Sequence, residues 1–497
     1  MRDYDCEVLI IGLGPVGLTL AAILGRMGLS IIAVERGELI YPLPRAAHVD
    51  HEIMRIFQSM NIIDAIMPHM RVAPDYEFQN AAGDVLMRFE RLGVIGSCGW
   101  PLGFNIYQPG IENALRDCVA QLPNVATRYG VAFAAIAANH SDGAIITVAT
   151  AGQLKDITAR FIVACDGASS PVREACGISL DDYSFNEPWL VIDAKSPDES
   201  QFPTSNIQLC DPDRPTSFIH MGPGRLRWEF MLKPGEDPQW MKTDEVIEEL
   251  LTPWRVLGDM AVERAAIYRF HGLVAQEWRK GSVFLVGDAA HQMPPFMGQG
   301  LCSGLRDAAN LAWKLEAVIN GEAGDALLAT YQCEREAHVR FVIDRAIEMG
   351  RMVCTIDRDL AARRDKDMLA LPIARPPVAL PGLVKGYLVD RTPAAGELFP
   401  QPCTPVGLRL DDLLGAGAWL IVDGGTPDAA LATGLRVVNV DSDLPPTLAS
   451  YIKTWLAERD VEAVLVRPDR YVFGTGTAAA LLDHYLSWRP QLTEAEA

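Results

Sequence analysis

Three clusters in this chain carry residue types at spacings that suit chemistry. The first is Gly12-Leu13-Gly14-Pro15-Val16-Gly17. Its first glycine permits a tight turn, its second lets backbone approach a pyrophosphate, and its third lets a helix pack on a strand. A helix opening there offers free N–H groups and a positive dipole end to phosphates. Glu35 ends the next apolar run, about 20 residues on, where an acidic side chain accepts hydrogen bonds from ribose hydroxyls. With Arg36 beside it, this set makes a dinucleotide site: Gly12, Gly14, Pro15, Val16, Gly17, Glu35 and Arg36. The glycines alone do not choose FAD over NAD. The second cluster is Asp166-Gly167, followed by Ser169-Ser170-Pro171, itself a good helix start. The third is Gly287-Asp288 with Gly298, Gly300 and Gly304 downstream. Asp288 stands just past an apolar run, where a carboxylate must find donors. The three later glycines leave amides open ahead of a helical stretch, and such a helix start stabilises negative charge.

General-base candidates are fewer. His48, His51 and His291 carry no carboxylate at a telling spacing. Asp50 suits a helix cap as well as a substrate contact. The ten cysteines contain no CxxC pair, which argues against structural zinc and against a secreted disulfide framework, so no metal is expected.

Positioning these residues calls for alternating strands and helices. Val8 to Ile11, Ile31 to Val34, Phe161 to Ala164 and Val283 to Val286 read as buried strands, and Leu18 to Met27 as a helix. From Trp189 to Phe270 apolar and polar residues alternate, as at Trp228, Phe230 and Leu232, which predicts a more open, mixed or antiparallel sheet. That alternation fits the roof of a substrate pocket, and equally a core face. A long helical pattern runs from Cys302 to about Met352. Prolines 372, 376, 377, 381, 393, 400 and 402 mark a linker or extended arm. Beyond it lies an αβ-like tail with strand candidates Ala418 to Val422, Leu435 to Val438 and Ala463 to Val466.

Bulk properties narrow the class. A net charge of -20 repels phosphate backbones, so nucleic acid is not an expected partner. Val8 to Gly25 carries no charge, but acidic residues precede it and Gly12, Gly14, Pro15 and Gly17 interrupt it, so neither a signal peptide nor a membrane span is expected. A cytoplasmic protein with reduced thiols is.

Cys165-Asp166-Gly167-Ala168-Ser169-Ser170-Pro171-Val172-Arg173 resembles the DG motif of the group A, single-component flavoprotein monooxygenases. Gly287-Asp288-Ala289-Ala290-His291, with Pro294-Pro295-Phe296-Met297-Gly298-Gln299-Gly300, resembles their GD motif. The three motifs stand in that family's order, over roughly the first 350 residues. Gly298 to Asp307 and Arg227 to Leu232 look like its 3-(3-hydroxyphenyl)propionate hydroxylase-like branch, and the tail resembles the thioredoxin-like domain of phenol hydroxylase-type members.

The resemblance implies an α/β fold: a glutathione-reductase-type, Rossmann-like FAD domain (1–182 and 276–370) interleaved with a sheet-rich substrate domain (183–275), a Pro-rich linker (371–402) and a thioredoxin-like domain (403–497). It implies FAD, with NADH or NADPH as co-substrate, and hydroxylation of a phenolic ring by O2 through a flavin C4a-hydroperoxide. It places Asp288 on the ribityl hydroxyls and Pro295 beside the isoalloxazine. It sets the helix start at Gly298, Gly300, Leu301 and Cys302 against the flavin's N1–C2=O edge. Asp166, Gly167 and Arg173 belong to the motif held to serve both FAD and the nicotinamide donor. Arg45, Gln108 and Arg116 match positions near the flavin or its phosphates, and His291 would wall the flavin pocket. Cys302 stands where many relatives carry Asn, so one side-chain contact is expected to be missing or made by backbone. The tail's Cys403 has no partner for redox chemistry. A homodimer is compatible with this reading. Two other classes stay open, a flavin halogenase or dehydrogenase and a non-catalytic FAD-binding module; the Trp-x-Trp-x-Ile-Pro signature of halogenases is absent, since Trp100-Pro101 does not match it.

Overall fold

The computed structural model describes residues 4–40, 44–254, 260–425 and 435–487. The aliphatic strand Cys6–Ile11 is almost wholly buried and pairs in parallel with Ile31–Glu35 on one side and Gln153–Ala164 on the other. Val283–Leu285 continues the parallel ladder beyond Gln153–Ala164, and Val125–Tyr129 extends it beyond Ile31–Glu35. Buried on both faces, such strands read as unbroken apolar runs. Because the strands are parallel, their carboxyl ends share one edge, and the three motifs leave from it together. Backbone bonds sew that edge: Gly12 N–H donates to Val34 O (2.8 Å), Cys165 N–H to Ile11 O (2.7 Å) and Val286 N–H to Ala164 O (3.0 Å).

The alternating region forms a second, nine-stranded sheet. Leu180–Lys195 pairs antiparallel with both Ala261–Ala275 and Arg225–Met231. The sheet also recruits strands from outside 183–275: Tyr76–Asn80, Val85–Phe89, His291–Gln292 and Ala374–Arg375. Trp228 and Phe230 point away from the motifs, into a core with Leu190, Ile192, Phe218 and Leu226. The intervening Arg227 and Glu229 take the opposite face.

Two long helices, Gly300–Ile319 and Asp325–Val353, follow the third motif. The tail carries a four-stranded sheet ordered Arg436–Asn439, Trp419–Val422, Ala463–Val466, Val472–Gly476, the first pair parallel and the others antiparallel. Buried ion pairs dock it. Glu334 on the second long helix meets Lys314 and Arg467, each at 2.7 Å, and Arg55 meets Asp411 at 2.6 Å. Among the described residues no helix is long and apolar enough to cross a membrane, and no group of His, Cys, Asp and Glu could hold a metal ion.

Candidate active site

The shared strand edge opens into a cavity of about 390 Å3 that runs between the two sheets. Gly14, Pro15, Arg45, Gly167, Asp288 and Pro295 line it, as do Gly298, Gly300 and Leu301. A second cavity, about 490 Å3, adjoins it and shares His48, Tyr76, Arg91, Phe296 and Met297.

The first glycine motif divides its labour. A Cβ on Gly12 would sit 2.4 Å from Cys165 O, and one on Gly17 would sit 1.9 Å from Gly12 O, so both positions are closed by neighbouring backbone. A Cβ on Gly14 would meet nothing within 4 Å. Gly14 is also the N-cap of helix Pro15–Arg26, which has no side-chain cap. The helix thus presents uncapped amides and an open approach, as a pyrophosphate requires. Glu35 reaches back across the strand edge: Leu13 N–H donates to its Oε2 and Gly37 N–H to its Oε1, both at 2.9 Å. It therefore fixes the glycine turn itself, with Arg36 exposed beside it.

Asp288 exposes its carboxylate to the cavity, where hydroxyl donors would satisfy it. Helix Gly300–Ile319 also starts without a side-chain cap or a first-turn acid. The amides of Gly300, Leu301 and Cys302 have no acceptor within the helix. Asp166 is pushed upward by burial, and its Oδ1 lacks a partner, while Oδ2 accepts from Val172 N–H at 3.1 Å. Open glycine, two uncapped helix starts and unsatisfied carboxylates fit FAD.

Several sequence candidates act one step back. Gln108 Oε1 accepts from Arg45 N–H (2.9 Å) and Ala46 N–H (2.7 Å), and its Nε2 donates to Glu112 (2.6 Å). It shapes the loop that offers the Arg45 side chain to the cavity. Arg116 stacks on Tyr129, 4.3 Å from the ring centroid, and is not on the cavity wall. Arg173 is buried and donates to Ala289 O (3.0 Å) and Ala168 O (3.1 Å), tying the second motif to the third.

One expectation is corrected. His291 does not wall the cavity: its ring lies tilted against Trp278 and its Nε2 lies 2.6 Å from Asp307 Oδ2, while Arg335 holds the other carboxylate oxygen at 2.8 Å. It thus does have a carboxylate partner, one helix turn past the third motif's glycines, and it is structural. The Cys302 thiol turns away as well, toward the carbonyls of His48 and Gly298, so only its amide can serve the cavity. Asp50 caps helix His51–Ser59, accepting from Glu52 and Ile53 N–H, and pairs with Arg306 and Gln299. Burial raises its pKa, but Arg306 outweighs that and holds the carboxyl below its usual range.

His48 remains at the centre. Its ring occupies a slot left by two glycines, since a Cβ on Gly103 would lie 2.2 Å from Nε2 and one on Gly298 3.2 Å from Cβ. Burial first, then the Arg91 charge, pulls its pKa to about 4, and Nδ1 has no partner. His51 lines only the second cavity.

Sequence reading missed the clamp beneath the entrance. Arg227 donates to Asp193 (2.7 Å), Arg45 O (2.9 Å) and Pro44 O (2.5 Å), and Arg264 also reaches Pro44 O (2.6 Å). The alternation around Trp228 was the available signal, since polar residues interleaved with core residues face the cavity. Tyr76 and Arg91 sit in no motif, and nothing local marks them.

Together these features define a flavin-binding oxidoreductase with a second chamber beside the first cavity. Comparison agrees. The FAD binding domain family model matches residues 5–346. A relative from Rhodococcus jostii (strain RHA1), named "Probable NADH-specific resorcinol 4-hydroxylase", is 35% identical, covering 96% of this chain and 93% of its own. A 3-(3-hydroxy-phenyl)propionate/3-hydroxycinnamic acid hydroxylase from Mycobacterium sp. (strain JLS) is 35% identical over 95% of this chain and 89% of its own. The solved aklavinone-11 hydroxylase, in complex with FAD and aklavinone, superposes with a TM-score of 0.81 at 22% identity, over 98% of this chain and 99% of its own, a likeness of fold. The chain belongs to the FAD-binding family of aromatic hydroxylases.

Proposed function

We propose that the enzyme inserts one oxygen atom of O2 into the ring of a phenol, with NADH or NADPH as reductant. The observation that carries this reading is the junction at His48, where the FAD cavity adjoins a second chamber walled in part by Phe89, Phe296 and Met297. FAD, when bound, supplies the two-electron reduction of O2 and the oxygen transfer. The chain's residues do the rest. The first helix start and Arg45 hold the pyrophosphate, and Asp288 accepts from the ribityl hydroxyls. The amides of Gly300, Leu301 and Cys302 stabilise charge at the ring edge. Pro295 sits beside the ring. His48, neutral at working pH, accepts a hydrogen bond from the phenol hydroxyl. Phe296, Met297 and Phe89 keep the chamber dry, which limits wasteful release of hydrogen peroxide.

The named substrates of the relatives, resorcinol and 3-(3-hydroxyphenyl)propionate, are the phenols to try first, and the NADH-specific relative favours NADH. FAD-loaded protein should oxidise NADH faster with one of them and yield a hydroxylated product by mass. Oxidation of NADH with hydrogen peroxide as the sole product would overturn the reading.

The remaining assignments belong to the same proposal. The FAD unit comprises 1–182 and 276–370, the substrate unit 183–275, and the linker 371–402. The tail is thioredoxin-like; its parallel pair followed by an antiparallel pair supports this, and its lone Cys403 gives it no redox role. The acidic, thiol-reduced chain works in the cytoplasm, and a homodimer is compatible with it.

A further inference from the structure

The Arg91 guanidinium lies where the two cavities meet and faces both. Of the other arginines reaching these cavities, Arg227 is neutralised by Asp193 and Arg306 by Asp50 and Glu52, while Arg45 and Arg269 line only the first cavity. Arg91 is not neutralised. Among the described residues no carboxylate lies within ion-pair distance of it; Asp75 and Asp50 act on it only from farther away. Asp75 accepts the backbone amides of Arg91 (2.8 Å) and Leu92 (3.1 Å), and Glu77 holds Arg88 (2.8 Å). The contact it does make is weak, with its Cζ 5.2 Å from the centroid of the Tyr76 ring. The Tyr76 hydroxyl is itself bound by Gln208 at 2.6 Å.

A partly buried cation without a counter-charge is costly to maintain. Burial lowers the pKa of Arg91, as expected for a cation short of compensation. The second cavity has an apolar part made by Phe89, Phe296, Met297, Val378 and Leu380, and the charged groups Asp50, Glu52 and Arg306 that also line it are paired with one another. Such a chamber holds an aromatic ring, and the guanidinium fork matches a planar two-oxygen anion.

We propose that Arg91 is an anion subsite that takes a carboxylate borne on the phenolic substrate, so that this enzyme prefers acidic phenols to uncharged ones. This rests on the phenol hydroxylase reading above. An ionised phenol oxygen offers the same anionic chemistry, and the two sources are separable. Wild type, Arg91→Gln and Arg91→Lys, each loaded with FAD, are to be compared on 3-(3-hydroxyphenyl)propionate and on resorcinol. Binding of 3-phenylpropionate, which lacks the hydroxyl, is to be titrated in parallel by its perturbation of the flavin absorbance.

The expected result is a rise in KM for the acid of at least ~10-fold in Arg91→Gln, the loss of a charge-assisted contact. KM for resorcinol should change far less than that for the acid, and the FAD content should stay as in wild type. Arg91→Lys should fall between, keeping the charge without the fork. An equal loss on both phenols, pointing to the phenolate, would overturn the proposal, as would no loss on either. Wild type that hydroxylates neither phenol would sink the hydroxylase reading alone. The 3-phenylpropionate titration then decides the subsite, and failure of wild type to bind that acid would overturn it. Should Arg91→Gln lose its fold, the lysine variant and the titration carry the same decision.

Discussion

The hydroxyl of Tyr471, just ahead of the last strand of the C-terminal sheet, donates to Glu52 Oε1 at 2.8 Å. The other Glu52 oxygen takes Arg306, and Arg306 also holds Asp50. The tail therefore fastens the helix that follows His48 and the helix whose start faces the flavin site. The tail acts here as a brace.

Tyr471→Phe is expected to keep the fold but lose about 1.5–3 kcal/mol of stability, the worth of a hydrogen bond to a charged group. Denaturant unfolding of the FAD-loaded protein measures this. A stability unchanged from wild type would mean that the tail is not coupled to the site through this pair.

The glycine motif gives a pair of opposite outcomes. Gly17→Ala should destabilise the apoprotein, because its Cβ would meet Gly12 O at 1.9 Å. Gly14→Val should leave apoprotein stability nearly intact and weaken FAD binding, since the side chain would fill the open approach. Fluorescence titration with FAD and thermal unfolding of the apoprotein separate the two. Equal effects of both variants on stability would contradict the division.

His48 should leave a mark on pH dependence. Its pKa falls from 6.5 to about 4 on folding. The unfolded chain then binds more protons at this site between those values, so the stability owed to a neutral His48 is present above pH 6.5 and is lost as pH falls toward 4. His48→Gln should flatten the decline of stability over that window by up to ~1.4 kcal/mol per pH unit. An unaltered slope would mean that His48 is not held neutral in the native state.

What the sequence revealed and what it hid follow from physics. The parallel strands were legible because double burial leaves unbroken apolar runs, and Gly12 to Gly17 because each glycine has its own steric reason. Asp288 was legible for the same kind of reason: a carboxylate at a strand end needs donors. Residues joined only by the fold were not. His291 and Asp307 meet across a turn and a helix, Arg227 clamps Pro44 from another sheet, and Tyr471 reaches Glu52 from the far end of the chain. Tyr76 and Arg91 enter the site because the strand pair Tyr76–Asn80 and Val85–Phe89, which Arg91 follows, joins the second sheet at Asn206–Cys210, a parallel pairing that no local pattern announces.

The central claim is oxygen transfer from O2 to an aromatic ring. The direct measurement uses FAD-loaded protein, NADH, resorcinol or 3-(3-hydroxyphenyl)propionate, and isotopically heavy O2, with the product read by mass spectrometry. The account predicts a hydroxylated product that carries one heavy oxygen atom, matched by NADH consumed. A product whose new oxygen comes from water, or heavy hydrogen peroxide with the phenol unchanged, would contradict it.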